Sequence, residues 1–297
     1  MRDFTLTIYK NLLTELLQSG YGFVTFAKFI QEQEKKEKTV ILRHDVDKKP
    51  LLSLRTAVLE NELGIKGTYY FRVVKIEFPR EEIERIKKLG HEIGYHYDDL
   101  NEARGDMENA LNLFQDNLAK LRELAPVKTA CMHGSPLSRY DNRDLWKNFD
   151  YHDLGIIGEP YFDIDFDEVM YLTDTGRRWD GDRVSIRDKV KGDGREAIGD
   201  GEEKRGDREE RRQKTEDREQ KEEDRRGAVG DPPVFNPHST GDIIKALKSN
   251  MLPDTIMLTI HPQRWTDNYF FWIKELVWQK IKNGVKYFVA RGRGSSQ

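Results

Sequence analysis

The stretch from residue 40 to residue 47, VILRHDVD, constrains the fold more than any other part of the sequence. Its apolar and β-branched residues predict a buried strand that ends on two aspartates, Asp45 and Asp47. In parallel α/β folds, ligands bind at the carboxyl ends of the strands. A turn or a helix cap is the competing interpretation, because the sequence KKP follows at residues 48–50. Two aspartates and His44 at one strand end favour a catalytic site.

Strand and helix patterns alternate along the rest of the chain. The strands are predicted at residues 40–47, 67–72, 92–96, 127–132, 154–158, 169–174 and 255–260, and the helices at residues 8–17, 25–33, 50–63, 79–89, 107–124, 242–248 and 268–283. Glycines such as Gly64 and Gly90 end two of the helices. Strands joined by right-handed helical crossovers predict an α/β fold, a distorted (β/α)7 TIM-like barrel.

Composition restricts the classes of function. The 297 residues suffice for one large barrel, predicted as a single domain over residues 1–290, and a formal net charge of −3 gives no electrostatic case for nucleic acid. The single cysteine, Cys131, excludes a disulfide framework and a thiolate zinc cluster, so a metal would need nitrogen and oxygen ligands. No apolar run approaches the length of a membrane span, so we expect no membrane partner and a cytoplasmic protein.

One segment departs from the alternation of strands and helices. From about residue 191 to residue 226, nearly every residue is charged or glycine, and both signs of charge are interspersed. Such a segment cannot bury enough apolar surface to offset the entropy lost on ordering. We therefore expect residues 191–231 to form a disordered charged insertion in a surface loop, without a catalytic role.

Polar residues follow several of the predicted strands: Asp45 and Asp47, His96 with Asp98 and Asp99, His133, and His261. A lone histidine is more often structural, and we expect that of His44 and His91, but histidines at successive strand ends argue against coincidence. Carboxylates and imidazoles suit Zn²⁺ or a similar divalent metal with an open position for water. The pattern predicts a metal-dependent hydrolase in which a carboxylate takes a proton and a histidine protonates the leaving group.

Three motifs resemble those of one known family: residues 44–47 (HDVD), residues 90–96 (GHEIGYH) and residues 259–262 (TIHP). In order and spacing they look like the successive motifs of the polysaccharide deacetylases (carbohydrate esterase family 4, the nodulation-type deacetylase homology domain). The resemblance spans roughly residues 35–290 apart from the charged insertion. It implies a distorted barrel and metal-dependent removal of N- or O-acetyl groups from a carbohydrate substrate. It also implies that Asp45 is the general base, Asp47 and His96 are metal ligands, and His261 is the general acid.

One position departs from the family pattern. The family's second metal histidine lies four residues after the first, and that position is Leu100 here. The resemblance leaves open whether Asp98, Asp99 or His133 replaces it or the metal binds weakly, and whether the two aspartates of the first motif exchange roles. We expect the metal ligands among Asp47, His96, Asp99 and His133.

Residues 175–180 (TGRRWD) resemble a substrate-side loop of the same family. In this interpretation Arg178 or Asp180 orients the base, and Trp179 stacks on a sugar face. The resemblance leaves open which sugar is the substrate, whether the acetyl group is N- or O-linked, and the oligomeric state.

Two other classes of function compete with the deacetylase. A carbohydrate-binding barrel that has lost part of its metal site would account for Leu100. A phosphotransferase or glycosyltransferase would account for the Asp-x-Asp pattern, but no phosphate-cradling glycine loop accompanies it. Such a site also does not need the histidines at the later strand ends.

Overall fold

The computed structural model of the chain describes residues 2–32, 38–73, 78–134, 138–179 and 235–280. Nearly all of them belong to one compact unit formed by Met1–Asp193 and Pro237–Gln297. The other unit, Gly194–Asn236, lies almost wholly outside the described residues, and so does the whole of the predicted insertion at residues 191–231.

A parallel sheet forms the centre of the fold. In the described part of the chain its strands are β1 (Gly22–Val24), β2 (Thr39–Val46), β3 (Thr68–Phe71), β4 (Glu92–Tyr97), β5 (Ala130–Met132), β6 (Met170–Thr173) and β7 (Thr255–Ile260). Six strands follow the order β5-β4-β3-β2-β7-β6, and β1 pairs with the first half of β2. The sheet curls into part of a barrel surrounded by helices, which confirms the predicted α/β barrel-like fold.

Helices connect the strands and cover the outer face of the sheet. They are α1 (Leu6–Gln18), α2 (Phe26–Gln31), α3 (Pro50–Glu62), α4 (Arg80–Lys88), α5 (Asp99–Glu102), α6 (Met107–Arg122), α7 (Pro160–Asp163), α8 (Thr240–Lys248) and α9 (residues 269–280). Short 3-10 helices occur at Asn142–Lys147, Tyr151–Leu154, Thr175–Arg177 and Pro262–Arg264. None of the helices within these described ranges is both long enough and apolar enough to cross a bilayer.

The observed strands differ from the predicted ones at two places. Residues 154–158 do not form the predicted strand, because a 3-10 helix ends at Leu154 and Gly155 follows in the left-handed region, with φ of 70°. Only Gly158 reaches the sheet, through a single bridge to Thr129. The prediction also missed β1, since three residues are too few to show a period of two.

The alternation of side chains along β2 divides the core into two parts. Ile41 lies inside the curled sheet with Tyr70 and Met257, whereas the outer core packs residues such as Tyr69 against the surrounding helices. Gly94 leaves room for the ring of Tyr70, because a Cβ atom there would clash with that ring. All eight residues of β2 are buried, which confirms the prediction of a buried strand here.

A polar cluster inside the outer core surrounds Glu60 of α3, which is fully buried. Its Oε1 accepts a hydrogen bond from the Tyr9 hydroxyl at 2.7 Å, and its Oε2 accepts one from the Tyr69 hydroxyl at 2.9 Å. The Nε2 atom of His44 lies 2.8 Å from Oε1. His91 bridges the Gly67 N–H and the Ala57 carbonyl nearby. Both histidines are structural, as predicted.

Removing the Glu60 carboxylate should destabilise the fold strongly, because it would leave His44 and two tyrosine hydroxyls buried without their shared partner. We expect Glu60→Ala to lower the free energy of unfolding by about 3–5 kcal/mol in urea denaturation. Glu62→Ala, an exposed change on the same helix, should stay within about 0.5 kcal/mol of the parent. Equal losses in the two variants would contradict a special role for Glu60.

A second buried carboxylate, Asp99, lies at the start of α5. The Tyr95 hydroxyl lies 2.8 Å from both of its oxygens and donates one hydrogen bond that they share, and Oδ1 also accepts one from Asn117 Nδ2 at 2.9 Å. Burial raises the pKa of Asp99 to about 7, although these hydrogen bonds oppose the rise. Asp99 is therefore partly protonated near neutral pH.

This raised pKa predicts a pH-dependent stability. An acid with a higher pKa in the folded chain stabilises the fold fully below its unfolded pKa of about 4, and that contribution disappears as the pH rises through the folded pKa. Asp99→Asn mimics the protonated form, so the fall in unfolding free energy between about pH 4 and pH 8 should shrink by roughly 3 kcal/mol. Urea denaturation at several pH values measures it. Asp144→Asn, on an exposed ion pair with Lys147, should leave the pH dependence of the parent intact.

Candidate active site

Polar side chains from five strands meet at the carboxyl edge of the sheet. Asp45 and Asp47 end β2, His96 lies near the end of β4, His133 follows β5, Asp174 follows β6 and His261 follows β7. The strands are parallel, so their carboxyl ends lie at the same edge. Residues far apart in sequence are thereby brought into one site.

Asp47, His96 and His133 form a compact group with three ligand atoms within 4.8 Å of one another. Oδ1 of Asp47 lies 3.2 Å from Nδ1 of His133 and 3.5 Å from Nε2 of His96. The two imidazole nitrogens are themselves 3.2 Å apart. Burial raises the pKa of Asp47, but the nearby imidazoles, His133 first, outweigh it, so this pKa lies well below its usual range.

The chemistry of this group fits a divalent cation. One carboxylate oxygen and two imidazole nitrogens are ligands that Zn²⁺ accepts, and three protein ligands leave a position for water or substrate. Oδ1 of Asp47 is buried and has no hydrogen-bond partner of good geometry. Nδ1 of His96 contacts the Cys131 carbonyl at 3.0 Å, which fixes the ring and leaves Nε2 to face Asp47 and His133.

The other candidate ligands lie elsewhere. Asp99 does not belong to this group, because its oxygens are bound to Tyr95 and Asn117 in the outer core, so the prediction of Asp99 as a metal ligand is wrong. Asp98 accepts hydrogen bonds from Arg72 Nη2 at 2.6 Å and Asn142 Nδ2 at 2.9 Å. Leu100 packs in the outer core and is 1% exposed. The position that the family pattern gives to a second histidine therefore faces away from the site.

Asp45 occupies a different environment from Asp47. Both of its oxygens are held by the guanidinium of Arg43, through Nε at 2.8 Å and Nη2 at 2.7 Å. Burial raises the pKa of Asp45, but the charge of Arg43 outweighs it and lowers that pKa to about 2. Asp45 also groups with His96 and Cys131 within 4.8 Å, but the guanidinium already supplies a positive charge there, which disfavours a second cation.

His261 is paired with Asp174. Nδ1 of His261 lies 2.6 Å from Oδ1 of Asp174, and the His261 backbone N–H donates to the same carboxylate. Arg264 Nη1 donates to Asp174 at 2.8 Å, and Trp265 Nε1 donates to it at 2.6 Å. Burial raises the pKa of Asp174, but Arg264 and His261 outweigh it and lower this pKa. The ionised carboxylate therefore fixes the imidazole of His261 in place.

The residues predicted for a substrate-side loop are not all placed as expected. Trp179 is 4% exposed, donates from Nε1 to Thr240 Oγ1 at 2.9 Å and stacks on Phe4, so it is a packing residue and does not offer a face to a sugar. Arg178 is half-buried beside it. Asp180 lies outside the described residues.

Asp174, Arg43 and Arg264 of the site were not identified from the sequence. Asp174 ends a predicted strand, so the rule that selected His261 would have found it. Arg43 follows from the alternation along β2, since it must lie on the same face as Asp45. Arg264 has no local signal, because its partner Asp174 is 90 residues away in sequence.

Comparisons with known proteins add little to this geometry. No family model matches the sequence, and no curated protein matches it. One solved structure with some similarity is that of a family 4 carbohydrate esterase from Bacillus anthracis, which is 16% identical to this chain. The match covers 50% of this chain and 66% of that chain, with a TM-score of 0.32. At that level the similarity carries no argument about function, which must come from the residues of the site.

Proposed function

We propose that this chain is a metal-dependent hydrolase that removes acetyl groups, N- or O-linked, from a carbohydrate. The observation that carries the proposal is the group of Asp47, His96 and His133, whose ligand atoms lie within 4.8 Å of one another. The Asp174–His261 pair lies at the same edge of the sheet and supplies a positioned imidazole. The carbohydrate substrate is supported by the three sequence motifs that resemble the polysaccharide deacetylases.

Asp47, His96 and His133 are the residues that would hold the metal, and their carboxylate and imidazoles favour Zn²⁺. A divalent ion there would polarise the acyl carbonyl and lower the pKa of an attacking water. The contact between His96 Nδ1 and the Cys131 carbonyl keeps Nε2 aimed at the group. The geometry supports Asp47, rather than Asp45, as the ligand of the first motif, because Asp45 is already bound to Arg43.

Asp45 is the proposed general base. Arg43 keeps its carboxylate ionised and fixes its plane through two hydrogen bonds, so Asp45 is ready to accept a proton from an attacking water. The pKa of about 2 makes Asp45 a weak base, and we expect its contribution to come from position more than from basicity.

His261 is the proposed general acid. Asp174 holds its Nδ1, which leaves Nε2 to deliver a proton to the departing amine or alcohol. The carboxylate of Asp174 also fixes the orientation of the imidazole ring. Arg264 and Trp265 donate hydrogen bonds to the same carboxylate, and these hydrogen bonds fix the position of Asp174.

Metal binding tests the proposal first. We expect about one zinc ion per chain, measured by elemental analysis after dialysis. Asp47→Asn should lower zinc affinity by more than the roughly 10- to 100-fold that loss of an outer hydrogen-bond partner costs. Asp99→Asn is the matched control, and it should leave the zinc content of the parent unchanged because Asp99 faces the outer core. A parent chain without zinc would favour the carbohydrate-binding barrel instead.

Acetate release from acetylated oligosaccharides tests the catalytic roles. Asp45→Asn and His261→Ala should each lower kcat by about 10²-fold or more while zinc content is kept. The melting temperature should be kept in His261→Ala and should fall in Asp45→Asn, because that change leaves the buried guanidinium of Arg43 without its anionic partner. His152→Ala is the control, because His152 is an exposed histidine paired with Asp150 away from the strand ends. Full activity in either catalytic variant would remove that residue from the mechanism.

A further inference from the structure

The turn that follows β7 lies directly beside the end of β2. Thr255 pairs with Thr39, and Ile260 pairs with His44 in the parallel ladder. Gln263 lies in the 3-10 turn Pro262–Arg264 that follows this ladder, beside Asp47, which is 216 positions earlier in the chain. Its amide Nε2 donates to Oδ2 of Asp47 at 3.1 Å. The pairing of β2 with β7 therefore brings this turn close to the end of β2, and the turn itself places the amide against Asp47.

Because of this contact, the two oxygens of Asp47 have different environments. Oδ2 is occupied by Gln263, whereas Oδ1 faces the two imidazoles and has no hydrogen bond of good geometry. A carboxylate held at one oxygen cannot rotate freely, so the other oxygen stays aimed at the same point. Gln263 is 7% exposed, which protects the hydrogen bond from competition with water.

The neutral character of the donor matters. Asp45 has both oxygens bound to the guanidinium of Arg43, and its negative charge is neutralised locally. Gln263 orients Asp47 without adding a positive charge, so the full negative charge of Asp47 is left for a cation. An outer partner of this kind commonly raises the affinity of a metal site.

We propose that Gln263 is a positioning residue for the metal site, which it serves by holding Asp47 with Oδ1 directed at His96 and His133. The proposal rests on the proposed function. The turn after β7 would then have two roles, because it also carries His261 and Arg264, and both of these bind Asp174.

Zinc affinity of the full chain, measured by competition with a chromophoric chelator, tests this role. Gln263→Met removes the donor at nearly constant volume, and we expect zinc to bind about 10- to 100-fold more weakly. Gln263→Asn keeps an amide on a shorter side chain that cannot span the distance, and it should weaken binding in the same direction. Gln279→Met is the matched control, since Gln279 is also buried, at 8% exposure, but donates to Glu275 on α9.

A spectroscopic measurement separates positioning from general loss of structure. With Co²⁺ in place of zinc, visible absorption reports the arrangement of the ligands, and we expect the bands of the Gln263 variants to shift while those of Gln279→Met do not. Unchanged zinc affinity and cobalt bands in both Gln263 variants would overturn the proposal and leave the proposed function standing. An equal loss of affinity in Gln279→Met would also overturn it. A parent chain that binds no zinc would overturn the proposed function and this role together.

Discussion

The parallel pairing of β2 with both β3 and β7 is the constraint on which the rest of the site depends. β7 pairs along Thr39–His44, and β3 pairs along Arg43–Val46. Since all three strands run in one direction, the polar residues at their ends reach the same edge of the sheet. A shift of one residue in β2 would move Asp45 to the outer face and His44 to the inner one. The geometry of the site is thus a property of the sheet more than of its loops.

The three carboxylates of the site, Asp45, Asp47 and Asp174, differ in the charge of the groups that bind them. Asp45 is bound to a guanidinium, and Asp174 is bound to a guanidinium, an indole N–H and an imidazole. Asp47 has the amide of Gln263 and two imidazoles that would themselves be ligands. Oδ1 of Asp47 is buried without a hydrogen-bond partner of good geometry, whereas Arg43 already places a positive charge against Asp45. This difference is the physical argument for a metal at Asp47 and not at Asp45.

Leu100 supplies no metal ligand after β4, and the neighbouring strand β5 leads to a histidine instead. α5 begins at Asp99 and turns Leu100 into the outer core, where an apolar side chain is stable. His133, at the end of β5, lies against Asp47 instead, and Asn142 Nδ2 holds its backbone carbonyl at 2.9 Å. Two nitrogen donors are therefore available beside Asp47 without a second histidine after β4.

The sequence by itself determined the strands that carry the site and the helices that follow them. The apolar run of β2, the helix after Pro50 and the capped helix at Thr240–Lys248 are local patterns, and local patterns are visible in sequence. The sequence also placed Asp45 and Asp47 at a strand end. Only the tertiary structure decided which aspartate faces the imidazoles, that Trp179 is buried, and that Gln263 belongs to the site. These depend on contacts between residues that are 49 positions apart (Asp47 and His96) to 216 positions apart (Asp47 and Gln263), and local periodicity does not contain such contacts.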